Sequence, residues 1–241
     1  MKTSVIPELI MKKYLRNADP AWVSSFQRDG VFDEALRKHL SSFLDSYAPG
    51  QKNVFRVFQL PLNKIRLVVV GQDPYPQPGA ATGRSFEVGN VTAWNQKYRQ
   101  TSLRNIFIQY CKFAGGKVTN LDTAKQFLEQ NPNMLLTPPE FWRTTEGNGV
   151  MWLNKALTID TASKDLKGHI AAWTKFTQHI FRILDASPKV KFMIWGNKAL
   201  EDCREVGISD GKMIVMPHPR VWSSQKGIDL SGLKDLFEKA K

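Results

Sequence analysis

Only two cysteines and four histidines occur in 241 residues. Cys111 and Cys203 stand in separate helix-patterned stretches with no CxxC pair, which argues against a disulfide scaffold or a zinc ribbon and favours buried, inert thiols in a reducing compartment. No apolar run approaches the roughly 18 residues of a membrane span, and charges break the short apolar runs of Met1 to Tyr14. These absences lead to the expectation of a soluble, intracellular, cytoplasmic chain with no membrane partner. Internal repeats and low-complexity segments are also missing, which excludes a repeat architecture. Acidic residues are scarce relative to basic ones: 34 Lys plus Arg against 22 Asp plus Glu leave a net charge of +12. Such an excess favours a polyanionic partner, nucleic acid first, because neutralising phosphates releases condensed counterions. The basic residues are scattered, so the same charge would also suit a protein merely kept soluble by it.

An apolar content of 42% can supply the core of one domain spanning 1–241. Trp22, Val23 and Phe26 are spaced to dock a helix on the domain surface. From Phe32 through Leu36, Leu40, Phe43, Leu44 and Tyr47, apolar residues recur at three- and four-residue steps, which predicts a helix ended by Pro49-Gly50. A second helix runs through Leu103, Ile106, Phe107 and Tyr110, with Thr101 or Ser102 as its cap. Residues 118–139 read as a surface excursion with a short helical pattern around Ala124 to Leu128. Further helices pass through Trp173 to Leu184, through Leu200, and through Leu230 to Phe237.

Between them lie four apolar strands, each delivering polar residues at its end. Ile65 to Val70 runs into Gly71-Gln72-Asp73-Pro74-Tyr75-Pro76, Val150 to Leu153 into Asn154, Lys191 to Trp195 into Gly196-Asn197, and Met213 to Met216 into Pro217-His218-Pro219. The first strand lacks alternation, as expected of one covered on both faces. Strands alternating with helices predict an α/β fold, a central four-stranded parallel sheet flanked by helices, in which right-handed crossovers bring every strand's carboxyl end to one rim. Two prolines stiffen the first loop. A carboxylate, a carboxamide, an imidazole and a phenol converging there with an apolar ring such as Phe86 would suit a flat polar heterocycle, its face stacked and its edge hydrogen-bonded. Taken singly, each is an ordinary turn or core residue.

Taken together, Gly71-Gln72-Asp73-Pro74-Tyr75, Gly149-Val150-Met151-Trp152-Leu153-Asn154 and His218-Pro219 resemble the uracil-DNA glycosylases, nearest to their main class. Ser102-Leu103-Arg104-Asn105-Ile106, Ala172 to Thr177 and Trp195-Gly196-Asn197 follow in the same order over most of the chain. The resemblance implies a DNA repair hydrolase that flips deoxyuridine out of the stack and cleaves its N-glycosidic bond, without metal or organic cofactor. It implies Asp73 as the catalytic carboxylate, His218 as the donor to uracil O2, and Asn154 as the reader of N3–H and O4. Phe86 would stack on the base, Tyr75 would exclude a C5 methyl, and Gln72 would line the site. Uracil-containing single- and double-stranded DNA is the implied partner of a monomer, with a proteinaceous glycosylase inhibitor as a further one.

The chain departs from the family pattern at three places. Pro76 stands where many relatives have His. Arg220-Val221-Trp222-Ser223 replaces Ser-Pro-Leu-Ser, so that Trp222 falls in the position of the wedge that fills the vacated stack, or else packs on the last helix. Arg99-Gln100-Thr101-Ser102 replaces a proline-rich loop. Ser102, Asn197, Arg220 and Ser223 are the candidate phosphate contacts. These departures keep two other functions open, a DNA-binding or replication-accessory subunit with weak catalysis and a glycosylase with another base preference.

Overall fold

The computed structural model describes residues 7–163 and 165–224. Its strands are β1 (Tyr47–Ala48), β2 (Leu67–Gly71), β3 (Val150–Asn154), β4 (Ile159–Asp160), β5 (Lys191–Trp195) and β6 (Met213–Met216). Its helices are α1 (Glu8–Ile10, continued by a π turn), α2 (Pro20–Asp29), α3 (Glu34–Ser41), α4 (Thr101–Phe113), α5 (Leu121–Gln130), α6 (Pro138–Gly147), α7 (Leu166–Asp185) and α8 (Asn197–Val206). Strands β3, β2, β5 and β6 lie in that order in one parallel sheet, so the α/β expectation holds. The helix expected through Leu230 and Phe237 lies outside the described residues.

The unbroken apolar run of β2 reflects its place in the sheet interior. Val68 and Val70, with Met151, Leu153, Phe192 and Ile194, face a core shared with α1, α2, α3, α7 and α8. Leu67 and Val69, with Trp152, Met193 and Trp195, face a second core with α4, α5 and α6. Alternate residues of one strand thus feed two cores, and no polar face is left over. Trp22 and Phe26 dock α2 as expected, and both are fully buried in the first core.

Two local expectations are corrected. The helix predicted from Phe32 to Tyr47 is capped by Asp33, whose Oδ1 accepts from Leu36 N at 2.9 Å, and it stops at Ser41. The Ser42 hydroxyl donates back to the Lys38 carbonyl at 2.9 Å, and Tyr47–Ala48 instead pairs antiparallel with Ile159–Asp160. The apolar period continues because Phe43 and Tyr47 pack on Tyr14 and His39. Helix α4 has no side-chain cap: Gln100 occupies the capping position, and Thr101 and Ser102 are already helical.

Within 118–139, α5 is capped by Asn120 and Thr123 and buries Ala124 against α4, where Cys111 Sγ contacts the Ala124 carbonyl at 3.7 Å. The following helix, α6, has no counterpart in the sequence reading. Pro138-Pro139 looks like a breaker, yet proline favours a first helical turn, and Thr137 with Glu140 forms a capping box. Among the described residues no helix is long and apolar enough to cross a membrane.

Phe176 of α7 centres the first core, with ring centroids of Phe26, Phe32, Phe55, Phe58 and Trp173 at 5.4 to 5.7 Å. Phe176→Ala is expected to cost about 3–5 kcal/mol of unfolding free energy, read by denaturant titration.

Candidate active site

The parallel register sets Asn154 directly opposite Gly71 at the ends of β3 and β2. Contact is so close that a Cβ at position 71 would lie 2.2 Å from Asn154 Oδ1 and 2.7 Å from Ser85 Cβ. Only glycine admits this approach. The turn after β2 is then tied to the turn after β3: Lys155 N donates to the Gly71 carbonyl and Ala156 N to the Gln72 carbonyl, both at 2.9 Å. Asp73 and Asn154 are therefore held by one hydrogen-bonded junction.

A cavity of about 410 Å³ opens over this junction. Of the predicted residues, Gln72, Asp73, Tyr75, Phe86, Ser102, Asn154, His218 and Arg220 all line it. Gln72 is exposed at the rim, and its carbonyl serves the junction. Asn154 is 5% exposed, and its carboxamide hydrogen-bonds to no described residue, which leaves an acceptor and a donor facing the cavity. Phe86 packs edge-on to Trp195 with centroids 4.8 Å apart and lies 6.1 Å from the His218 ring.

Burial sets the protonation of the site. Desolvation pushes the Asp73 carboxyl up to about 6. It also pushes the Tyr75 phenol up to about 12, with the nearby Asp73 charge adding to the shift, so the phenol stays neutral. His218 is lowered, first by burial and then by Arg220. Its Nδ1 accepts the Arg220 backbone N–H at 3.1 Å, so the neutral ring carries its proton on Nε2. Gly196, at φ 98°, makes room for this ring, since a Cβ there would stand 3.0 Å from His218 Cβ.

The loop carrying His218 is anchored from behind. Asn105 Nδ2 donates to the Pro219 carbonyl at 2.6 Å, and Trp222 Nε1 donates to the Pro217 carbonyl at 2.7 Å. Trp222, expected as the wedge, is only 3% exposed and packs edge-on against Trp195 at 5.0 Å. An indole fixed in the core is not available to a DNA stack, and the wedge assignment to Trp222 is corrected accordingly. The large apolar side chain that this turn exposes is Val221, at 40%.

Asn197 is the exposed first residue of α8 and lies outside the cavity lining. The side chain of Ser223 lies outside the described set. Pro76 lines the cavity beside Tyr75. Sequence reasoning missed Leu166, Lys198 and Asp202, which complete the wall. Asp202 forms a buried ion pair with Lys155, and only the spacing of Lys198 after Gly196-Asn197 could have hinted at this side. A second cleft of about 710 Å³ shares Tyr75, Ser102 and Arg220 with the cavity and adds Lys97, Tyr98 and Arg99. Among the described residues no three His, Cys, Asp or Glu side chains cluster as a metal site.

No protein-family model matches the chain. The uracil-DNA glycosylase of Mycolicibacterium smegmatis is 33% identical over 231 residues, 94% of this chain and 88% of that one. That of Mycobacterium ulcerans is 31% identical over 216 residues, 87% and 84% of the two chains. The fold matches wild-type UNG from Nitratifractor salsuginis with a TM-score of 0.76 at 24% identity, over 98% of this chain and 100% of the other. It matches a mimivirus UNG variant solved in complex with UGI with a TM-score of 0.62 at 23% identity, over 90% and 74%. With sequence identity above 30% extending over most of both chains, and with the glycine-bounded cavity at the strand ends, the chain belongs to the uracil-DNA glycosylase family.

Proposed function

We propose that this chain hydrolyses the N-glycosidic bond of deoxyuridine flipped out of DNA, releasing uracil and leaving an abasic site. The observation that carries this reading is the convergence of Asp73, Asn154, Phe86, Tyr75 and His218 on one cavity at the carboxyl rim of the sheet. A flipped base would lie on Phe86 with its imide edge at the unpaired Asn154 carboxamide, which can donate to O4 and accept from N3–H. Cytosine presents a donor where uracil has O4, so the same carboxamide rejects it. Tyr75 stands beside C5 and leaves no room for a thymine methyl.

As the bond breaks, negative charge gathers on the base and positive charge on the sugar. The Nε2–H of neutral His218 is placed to donate to O2 of the departing base, an aimed dipole of the kind that stabilises a developing anion. Ionised Asp73 counters the oxocarbenium charge and positions the attacking water. The second cleft, with Lys97, Arg99 and Arg220, would carry the strand by phosphate contacts, assisted by Ser102 at the uncapped start of α4. Val221 offers the apolar tip nearest the vacated stack. We take the working form to be a cytoplasmic monomer acting on both single- and double-stranded substrates, with a proteinaceous inhibitor competing for the same cleft. The non-catalytic alternative is disfavoured by the assembled acid, imidazole and carboxamide.

Incubated with uracil-containing oligonucleotides in EDTA, the protein is expected to yield alkali-labile sites and free uracil, with the rate falling as pH drops through about 6, where Asp73 protonates. Intact uracil-containing DNA after prolonged incubation would overturn the assignment. Asp73→Asn should lose on the order of 10²–10³ in rate, with DNA affinity retained. It should also gain stability. Burial raises the folded pKa from 3.8 to about 6, so the unfolded chain ionises first and the charged carboxylate destabilises the fold, not at all below about pH 4 and fully above about pH 6. The variant should therefore melt higher than wild type near pH 8, with the gap closing in acid. Asn154→Asp should allow cleavage at cytosine and Tyr75→Ala at thymine, both read on single-base substrates.

A further inference from the structure

Phe86 has φ 62° and is the one non-glycine residue with positive φ among the described residues. Glu87 N donates to the Ser85 carbonyl at 2.8 Å across it, so Phe86 sits at the centre of a γ-turn of the rare, strained hand. A bulky side chain in the left-handed region is strained and persists only where its surroundings hold it. Backbone anchors account for one side. Ser85 N donates to the Trp152 carbonyl at 3.0 Å, Ser85 Oγ to the Val69 carbonyl at 3.2 Å, and Trp142 Nε1 to the Ser85 carbonyl at 3.2 Å.

The other side is held by charge. The Arg84 side chain is 4% exposed, and its Nη1 donates to both oxygens of Glu87, at 3.2 and 3.1 Å. Arg84 and Glu87 thereby bridge the turn over Phe86. Nε of the same guanidinium donates to Glu146 Oε1 at 3.2 Å, and Nη2 pairs with Glu146 Oε2. Thr82 Oγ1 donates to Glu87 Oε2 at 2.6 Å. Glu146 and Trp142 are one turn apart on α6, so this helix grips the turn through both. Thr82, Arg84, Glu87 and Trp142 line a separate cavity of about 270 Å³ that has no residue in common with the base cavity. A buried ion pair is a poor source of stability, because desolvation offsets its attraction, but its fixed fork geometry can enforce one conformation.

We propose that Arg84, with Glu87 and Glu146, is a positioning element for the reaction: a buried clamp that keeps Phe86 in its strained turn so that its ring forms the stacking wall of the base pocket. The clamp touches neither substrate nor Asp73, and it acts only through Phe86. The proposal rests on the reading of Phe86 as the base-stacking ring.

The test compares wild type with Arg84→Met, Arg84→Lys and Glu146→Gln for steady-state uracil excision, inhibition by free uracil, affinity for uracil-free DNA, and melting temperature. Folded Arg84→Met is expected to lose about tenfold or more in kcat/KM, with a parallel weakening of free-uracil inhibition and uracil-free DNA affinity within about twofold of wild type. Arg84→Lys, which keeps the charge without the fork, should fall between. A folded Arg84→Met with wild-type kcat/KM and wild-type inhibition by uracil overturns the clamp. Should Arg84→Met fail to fold, Thr82→Val removes the hydroxyl's bonds to Glu87 and to the Arg84 amide, Glu146→Gln weakens the fork on Arg84, and unchanged excision and inhibition in both overturns it equally. Wild-type protein that releases no uracil sinks the glycosylase reading and the clamp with it, whereas active wild type beside an unaffected Arg84→Met sinks the clamp alone.

Discussion

The site depends on the parallel pairing that puts Gly71 opposite Asn154. Because the position opposite has no side chain, the Asn154 carboxamide can lie against the main chain of β2, in space a Cβ would fill. From that contact the two strand-end turns are laced together by Lys155 N and Ala156 N, and the distance between the Asn154 carboxamide and the Asp73 carboxylate follows. A shift of one residue in register would carry Asn154 to the other face and dissolve the arrangement.

Burial then gives the groups their chemistry. The same desolvation that raises Asp73 to about 6 lowers His218, so near neutral pH the site holds an ionised carboxylate and a neutral imidazole. The Arg220 backbone amide at Nδ1 decides which ring nitrogen keeps the proton. Asn105 and Trp222 fix the loop that presents this amide. The Trp222 indole, expected at the DNA, thus stands behind the site and supports the loop of its histidine. Function here is built from outward-facing groups whose positions are set by inward-facing ones.

Much of the fold was legible in the sequence because its signals are local. The β5 and β6 boundaries match the apolar runs as read, and the polar residue ending each strand marks the rim. The overlong helix from Phe32 shows the limit of this reading: an apolar period records packing, and Phe43 and Tyr47 pack half-buried on Tyr14 and His39 without being helical. Helix α6 escapes such a reading because Pro138-Pro139 looks like a stop, although Thr137 and Glu140 spell a start. Much of the side-chain inventory of the pocket was readable from strand ends, whereas Leu166 at the start of α7 and Lys198 and Asp202 along α8 come from helices that only folding brings alongside.

By itself the sequence determined the parallel sheet, the edge where the cavity lies and the polar residues that line it from the strand ends, since each follows from neighbours in the chain. Tertiary structure alone decided that Trp222 turns inward, that His218 carries its proton on Nε2, and that a buried Arg84 spans a strained Phe86. The first and last depend on contacts between segments far apart in sequence, Trp222 with Trp195 and Arg84 with Glu146, whereas the tautomer is set two residues away by the Arg220 amide in a loop that Asn105 anchors from a distance.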